Sequence, residues 1–167
     1  MSSSLPTSFF VYGTLKRGQC REHLWPETPQ SITTAWTLAT LYGRQDYPAI
    51  QTGEDRVLGE VWRFEASQMP QVIKQLDRIE GTNQPNESDL YRRCTVNCFD
   101  LNEHPLGISY CYFYVIDPRQ DGFHRILPSD VLEHPDSRKL IENRDDRRDV
   151  VKSQTDSRLL MALWPER

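Results

Sequence analysis

The stretch Phe9-Phe10-Val11-Tyr12-Gly13-Thr14-Leu15-Lys16-Arg17-Gly18 decides how the rest of the chain is read. Its first four residues are bulky strand formers, and Gly13 ends the run abruptly, so a buried strand delivers its last residues into a turn. Backbone amides of residues 13–15 are then left exposed at the strand's end, where a small ligand can be held. Working outward, residues 33–43 are dense in Thr, Leu, Trp and Tyr and stop at a glycine, and residues 57–64 alternate in part as a strand covered on one face does. Two further strands are expected at 91–99 and 107–116. The second is too uniformly apolar and aromatic to face water on both sides and belongs in a sheet centre or a barrel wall. Cys94, Cys98 and Cys111 fall within these strands and read as small buried apolar residues.

One helix interrupts this strand-rich pattern. Ser67 is the expected N-cap, the helix runs to Ile79, and Gly81 is its left-handed stop. At about 100° per residue, Met69, Val72, Ile73, Leu76 and Ile79 share one side. Glu80 falls among them, while Asp77 sits nearer the edge of the stripe. A carboxylate aimed at a core is a local conflict of the kind that marks functional sites. Burial and the negative end of the helix dipole would both raise its pKa. The alternative is a frayed last turn with Glu80 in water. Residues 82–89 are polar with no apolar anchor and are expected to form a mobile flap beside Glu80.

The 167 residues are most simply one folded domain with tails: a flexible leader at 1–7, the domain at 8–128, and a charged extension at 129–167. In that extension Val150, Val151, Leu159, Leu160, Leu163 and Trp164 would give a terminal helix one apolar face. Residues 136–149 balance five acidic against five basic side chains, and the formal net charge is -4. Neither pattern suits a nucleic-acid-binding face. No basic stretch precedes an apolar one at the N-terminus, and no run approaches the roughly 18 apolar residues of a membrane span. A soluble, cytoplasmic protein is expected. The four cysteines form no Cys-x-x-Cys pair, and His23, His104, His124 and His134 share no ligand spacing, so no metal site is expected and the histidines read as surface residues. Residues 21–25 have room for one helical turn before Pro26.

Val11-Tyr12-Gly13-Thr14-Leu15-Lys16 with Gly18, this near the N-terminus, resembles the signature loop of the gamma-glutamylcyclotransferase-like family, which includes the gamma-glutamylamine cyclotransferases and the plant AIG2-like proteins. Leu76-Asp77-Arg78-Ile79-Glu80-Gly81, followed by Leu90-Tyr91-Arg92-Arg93, resembles the family's acidic motif. Tyr47-Pro48-Ala49, a segment lying between strands in the family, and Gly59-Glu60-Val61 resemble it as well. The resemblance covers about residues 8–128. It implies an α+β fold, a small mixed β-barrel or strongly curved sheet with a few packed helices. It also implies a substrate loop of Tyr12, Gly13, Thr14 and Leu15, Glu80 as catalytic acid/base, and no cofactor.

Glu60, Tyr91 and Arg92 are further candidates. Glu60 either lines the cavity or faces solvent. Arg92 and Arg93 point to opposite strand faces, so at most one reaches the pocket. Two departures stand out. Cys20 and Arg21 follow Gln19 where family loops often continue with Pro-Asn, and the Gly-Asp-Trp-like ending is missing around residues 124–130.

The implied partner is a small gamma-glutamyl compound. Its α-amino group attacks its own γ-carbonyl, closing 5-oxoproline and expelling an amine, with no metal or nucleotide required. The sequence leaves the expelled amine and the oligomeric state open. It also leaves two other readings: a non-catalytic small-molecule binding or regulatory protein on the same fold, and an enzyme that removes a gamma-glutamyl group from a larger intermediate.

Overall fold

Strand β1 (Ser8–Val11) is buried on both faces, and its alternating side chains feed two different cores. In the computed structural model, which describes residues 4–127, Phe9 and Val11 join one apolar cluster while Phe10 and Tyr12 join the other. The remaining strands are β2 (Ser31–Gly43), β3 (Pro48–Arg63), β4 (Tyr91–Asp100), β5 (Pro105–Tyr114) and β6 (His124–Ile126). They are ordered β3-β1-β5-β4-β2, and β2 pairs back onto β3, so five strands close into a barrel with β6 attached along β2. The β1–β5 pairing is parallel, with Phe9 opposite Tyr110, and the others are antiparallel. Of the two forms that the family resemblance implied, a mixed barrel or a strongly curved sheet, this is the barrel. Closure pairs the strand edges that an open sheet would expose.

Small residues fit the narrow interior. Ala35, Ala39, Cys98 and Cys111 share one cluster with Val57 and Val61. Cys98 and Cys111 are buried and Cys94 is half-buried. On the other side lies helix α1 (Met69–Glu80), whose Met69, Val72 and Leu76 pack against Phe9, Trp62 and Tyr112. Each such side chain contributes about 1.5–3 kcal/mol by leaving water. The helix stops at Gly81, in the left-handed region at φ 63°, whose N–H reaches the carbonyls of Asp77 and Arg78.

Several boundaries differ from the sequence reading. The N-cap is Gln68, one residue later than Ser67, and it makes no side-chain cap bond. A turn over residues 65–68 comes first, and the Gln68 side-chain oxygen accepts the Glu65 N–H at 3.0 Å. Pro48, Ala49 and Ile50 are not between strands but open β3, opposite Gly43, Tyr42 and Leu41. Proline is tolerated there because the first residue of a strand can do without a donor. The leader is tied down by residue 7, since the Thr7 carbonyl accepts the Phe64 N–H at 2.9 Å. His23, His104 and His124 are exposed. His134 and the extension at 129–167 with its expected helix lie outside the described residues. Among the described residues, no helix is long and apolar enough to cross a membrane, and no group of His, Cys, Asp and Glu is arranged to hold a metal ion.

Candidate active site

The turn that follows β1 is stitched through its carbonyls. Lys16 N–H donates to the Gly13 oxygen (3.2 Å), Arg21 N–H to Thr14 (2.9 Å), and the Trp25 indole N–H to Leu15 (2.9 Å). Trp25 is held for this by stacking on Trp62, 4.6 Å between centroids. The amides of Gly13, Thr14 and Leu15 bond to no other described residue and stand at a cavity that these residues line. Gly13 is needed for closeness more than for a special dihedral. A Cβ there would sit 2.8 Å from the Pro48 ring.

Beneath the loop lies Glu60, fully buried at 0% exposure. Its carboxylate accepts the Arg17 N–H (3.0 Å), the Arg17 Nε–H (3.3 Å) and the Trp62 indole N–H (3.0 Å). It neither faces solvent nor lines the cavity. The alternation of β3 turns it inward at the position opposite Val11, where it anchors the far side of the loop.

The cavity measures about 100 Å³, several times the roughly 10–15 Å³ one water needs on the same measure. The loop forms one wall, and the end of α1 with Ile79 and Glu80 forms another. Four tyrosines, Tyr12, Tyr47, Tyr91 and Tyr112, also line it, and three of them have their hydroxyls committed elsewhere. Tyr12 donates to the Tyr112 carbonyl (2.8 Å), Tyr91 to the Pro48 carbonyl (3.0 Å) and Tyr112 to Asp77 (2.6 Å). Burial is the main reason that all three phenols are pushed well above their ordinary range.

Glu80 differs. It is half-buried, lines the cavity and accepts no hydrogen bond from a described residue. Loss of water pushes its carboxyl up from 4.5 to about 7, against a smaller downward pull from Arg21. It is thus the group in this cavity that can both take and give a proton near neutral pH.

Asp77 is closer to the core than its place on the helical stripe suggested. It is 9% exposed, and both of its oxygens receive Arg93 Nη1, at 2.6 and 2.5 Å. Arg93 is spent on this pair, and Arg92, the arginine picked out from the sequence, is exposed and does not line the cavity. Tyr91 does line the cavity, together with Tyr47, Leu90 and Arg21, which sequence reasoning did not place there. The connection at 82–89 is pinned where a free flap was expected. Thr82 is buried and donates to the Tyr91 carbonyl (2.7 Å), Asn83 N–H reaches Asp89 (2.9 Å), and Leu90 N–H returns to Gly81 (3.1 Å).

A small closed mixed barrel with a packed helix defines a class of fold, and known proteins share it. The gamma-glutamyl cyclotransferase, AIG2-like family matches residues 9–132, and the chain belongs to that family. Among solved structures, it is similar to an AIG2-like protein from Mus musculus (20% identity, TM-score 0.51, 72% of this chain and 85% of that one). It is also similar to an Arabidopsis thaliana protein solved in solution (23% identity, TM-score 0.53, 94% of each chain). A third, YkqA from Bacillus subtilis, is 21% identical with a TM-score of 0.51 over 73% of this chain, which spans only 38% of that longer protein. At these identities the likeness is one of fold. No curated protein matches the sequence significantly.

Proposed function

We propose that the protein is a gamma-glutamyl cyclotransferase that converts a gamma-glutamyl amine or amino acid into 5-oxoproline and a free amine. The observation that carries this reading is a single unbonded carboxyl, Glu80, held at about 7 in the same small cavity as the Gly13, Thr14 and Leu15 amides.

The reaction needs little else. The substrate's α-ammonium gives a proton to the Glu80 carboxylate, and the freed nitrogen attacks the γ-carbonyl carbon of the same molecule. Holding that chain folded replaces an encounter between two molecules. Negative charge collects on the carbonyl oxygen, where backbone amides of the 13–15 loop act as donors. As the C–N bond to the leaving amine breaks, protonated Glu80 gives its proton to the departing nitrogen, and the second proton of the attacking nitrogen, lost as the lactam forms, passes through the same carboxylate to the released amine, which leaves as ammonium. A carboxyl near neutrality suits both transfers, because neither direction is strongly uphill. Tyr12 and Tyr91 serve as cavity walls, their protons being engaged by backbone carbonyls.

The test is 5-oxoproline release from a panel of gamma-glutamyl amines and amino acids, with Glu80→Gln beside the wild type. The expected loss in the variant is on the order of 10²- to 10⁴-fold, the usual share of a general acid/base. Near-normal turnover by Glu80→Gln would remove Glu80 from the mechanism. Binding without release by the wild type would instead establish the non-catalytic alternative.

A further inference from the structure

Among the described residues, Arg21 is the one cation that lines the cavity, and nothing in the reaction just described uses its charge. It sits where the sequence departs from the usual loop wording. Its backbone is fixed at both ends, Arg21 N–H donating to Thr14 (2.9 Å) and Leu24 N–H donating to the Arg21 carbonyl (3.0 Å). The side chain therefore starts from a defined point beside the loop amides. It is half-buried and forms no ion pair with a described carboxylate. Other arginines near the barrel are matched: Arg17 with Glu60, Arg93 with Asp77, Arg125 with Asp55. The guanidinium is close enough to act electrostatically on Glu80 and on Tyr91, which places its charge within the cavity's field.

A half-buried guanidinium that forms no direct ion pair with a described carboxylate, next to the loop amides, matches a carboxylate in shape and charge, because its fork can make two parallel bonds. We infer that Arg21 is a specificity-determining residue that binds a carboxylate of the substrate. The inference rests on the cyclotransferase reading and deepens it. The carboxylate has two sources: the α-carboxylate of the glutamyl part, or a carboxylate on the departing amino acid. In the second case the enzyme selects gamma-glutamyl amino acids or peptides over simple amines.

The experiment measures equilibrium binding to the Glu80→Gln chain, which the reading requires to bind without turnover. The probes are gamma-glutamyl-n-butylamine, with only the α-carboxylate, and gamma-glutamylglycine, with both. Each is compared on chains carrying Arg21, Arg21→Met or Arg21→Lys. Loss of a charge-assisted bond is expected to raise Kd by about 10- to 100-fold in Arg21→Met. Arg21→Lys should recover part of this, since it restores the charge without the fork. Equal weakening of both probes assigns Arg21 to the α-carboxylate, and weakening of gamma-glutamylglycine alone assigns it to the leaving group. Unchanged binding of both probes in Arg21→Met overturns the role of Arg21 while leaving the function intact. If neither probe binds even with Arg21 present, the cyclotransferase reading itself fails, and this assignment with it.

Discussion

Asp77 and Glu80 stand three residues apart on one helix and have opposite fates. Asp77 is almost buried yet fully matched, by Arg93 and by the Tyr112 hydroxyl. Glu80 keeps more surface but receives no donor from a described residue, and desolvation holds it near neutrality. The difference teaches that burial alone does not make a carboxylate chemically useful. Partners make it structural, and their absence beside a cavity leaves it free to exchange protons. Tyr112 stands between the two, one side of it lining the cavity and its proton given to Asp77.

Substitution at Asp77 should produce the largest stability change. Asp77→Ala leaves the Arg93 charge and the Tyr112 hydroxyl without their acceptor, which should cost about 3 kcal/mol in urea unfolding. Turnover per folded molecule should stay within about threefold of wild type. A folded Asp77→Ala chain as slow as Glu80→Gln would erase the distinction between the two carboxylates.

A smaller effect of opposite sense is expected at Glu80. Its pKa is raised from 4.5 to about 7 on folding, so the folded state binds the extra proton between those values. Stability from this group is therefore full below about pH 4.5 and is lost as pH rises through 7. At pH 8, Glu80→Gln should be more stable than wild type by about 2 kcal/mol, and at pH 4 the two should converge. Parallel stability curves across that range would mean that Glu80 is not desolvated.

The smallest effect concerns the loop facing Glu80. In Gly13→Ala the new methyl meets the Pro48 ring, and relief of that contact should cost about 1 kcal/mol by thermal unfolding. The shift should raise KM for the cyclised substrate more than it lowers melting temperature would suggest. An unchanged KM would show that the loop does not hold substrate.

Much of this could be read from the residues, for physical reasons that differ by position. β1 was legible because four bulky residues before a glycine leave few alternatives, and α1 because Met69, Val72, Leu76 and Gly81 agree on one face and one stop. Glu80 was legible as a contradiction in that pattern. Glu60 was not, since strand alternation tells which face a residue takes but not that Arg17 and Trp62 wait there to receive it. Asp77 was hidden for the same reason, its partners lying 16 and 35 residues along the chain. Arg21 was visible only as a departure in wording, because a cavity wall supplied by a short turn leaves no periodic trace.

The parallel seam between β1 and β5 has a kinetic consequence. The Tyr12 hydroxyl and the Tyr112 carbonyl meet across 100 residues of chain, a closure costing about 4 kcal/mol of entropy from its length alone, whereas the β2–β3 hairpin closes over the short connection at 44–47 for about 1. Local hairpins thus have a head start and the seam comes late, the order expected of a topology rich in distant contacts. A nascent chain that has made the signature loop and the helix still lacks the tyrosine wall on β5. Until that strand docks, the loop amides and Glu80 are in water, and the emerging polypeptide has the motif without the chamber.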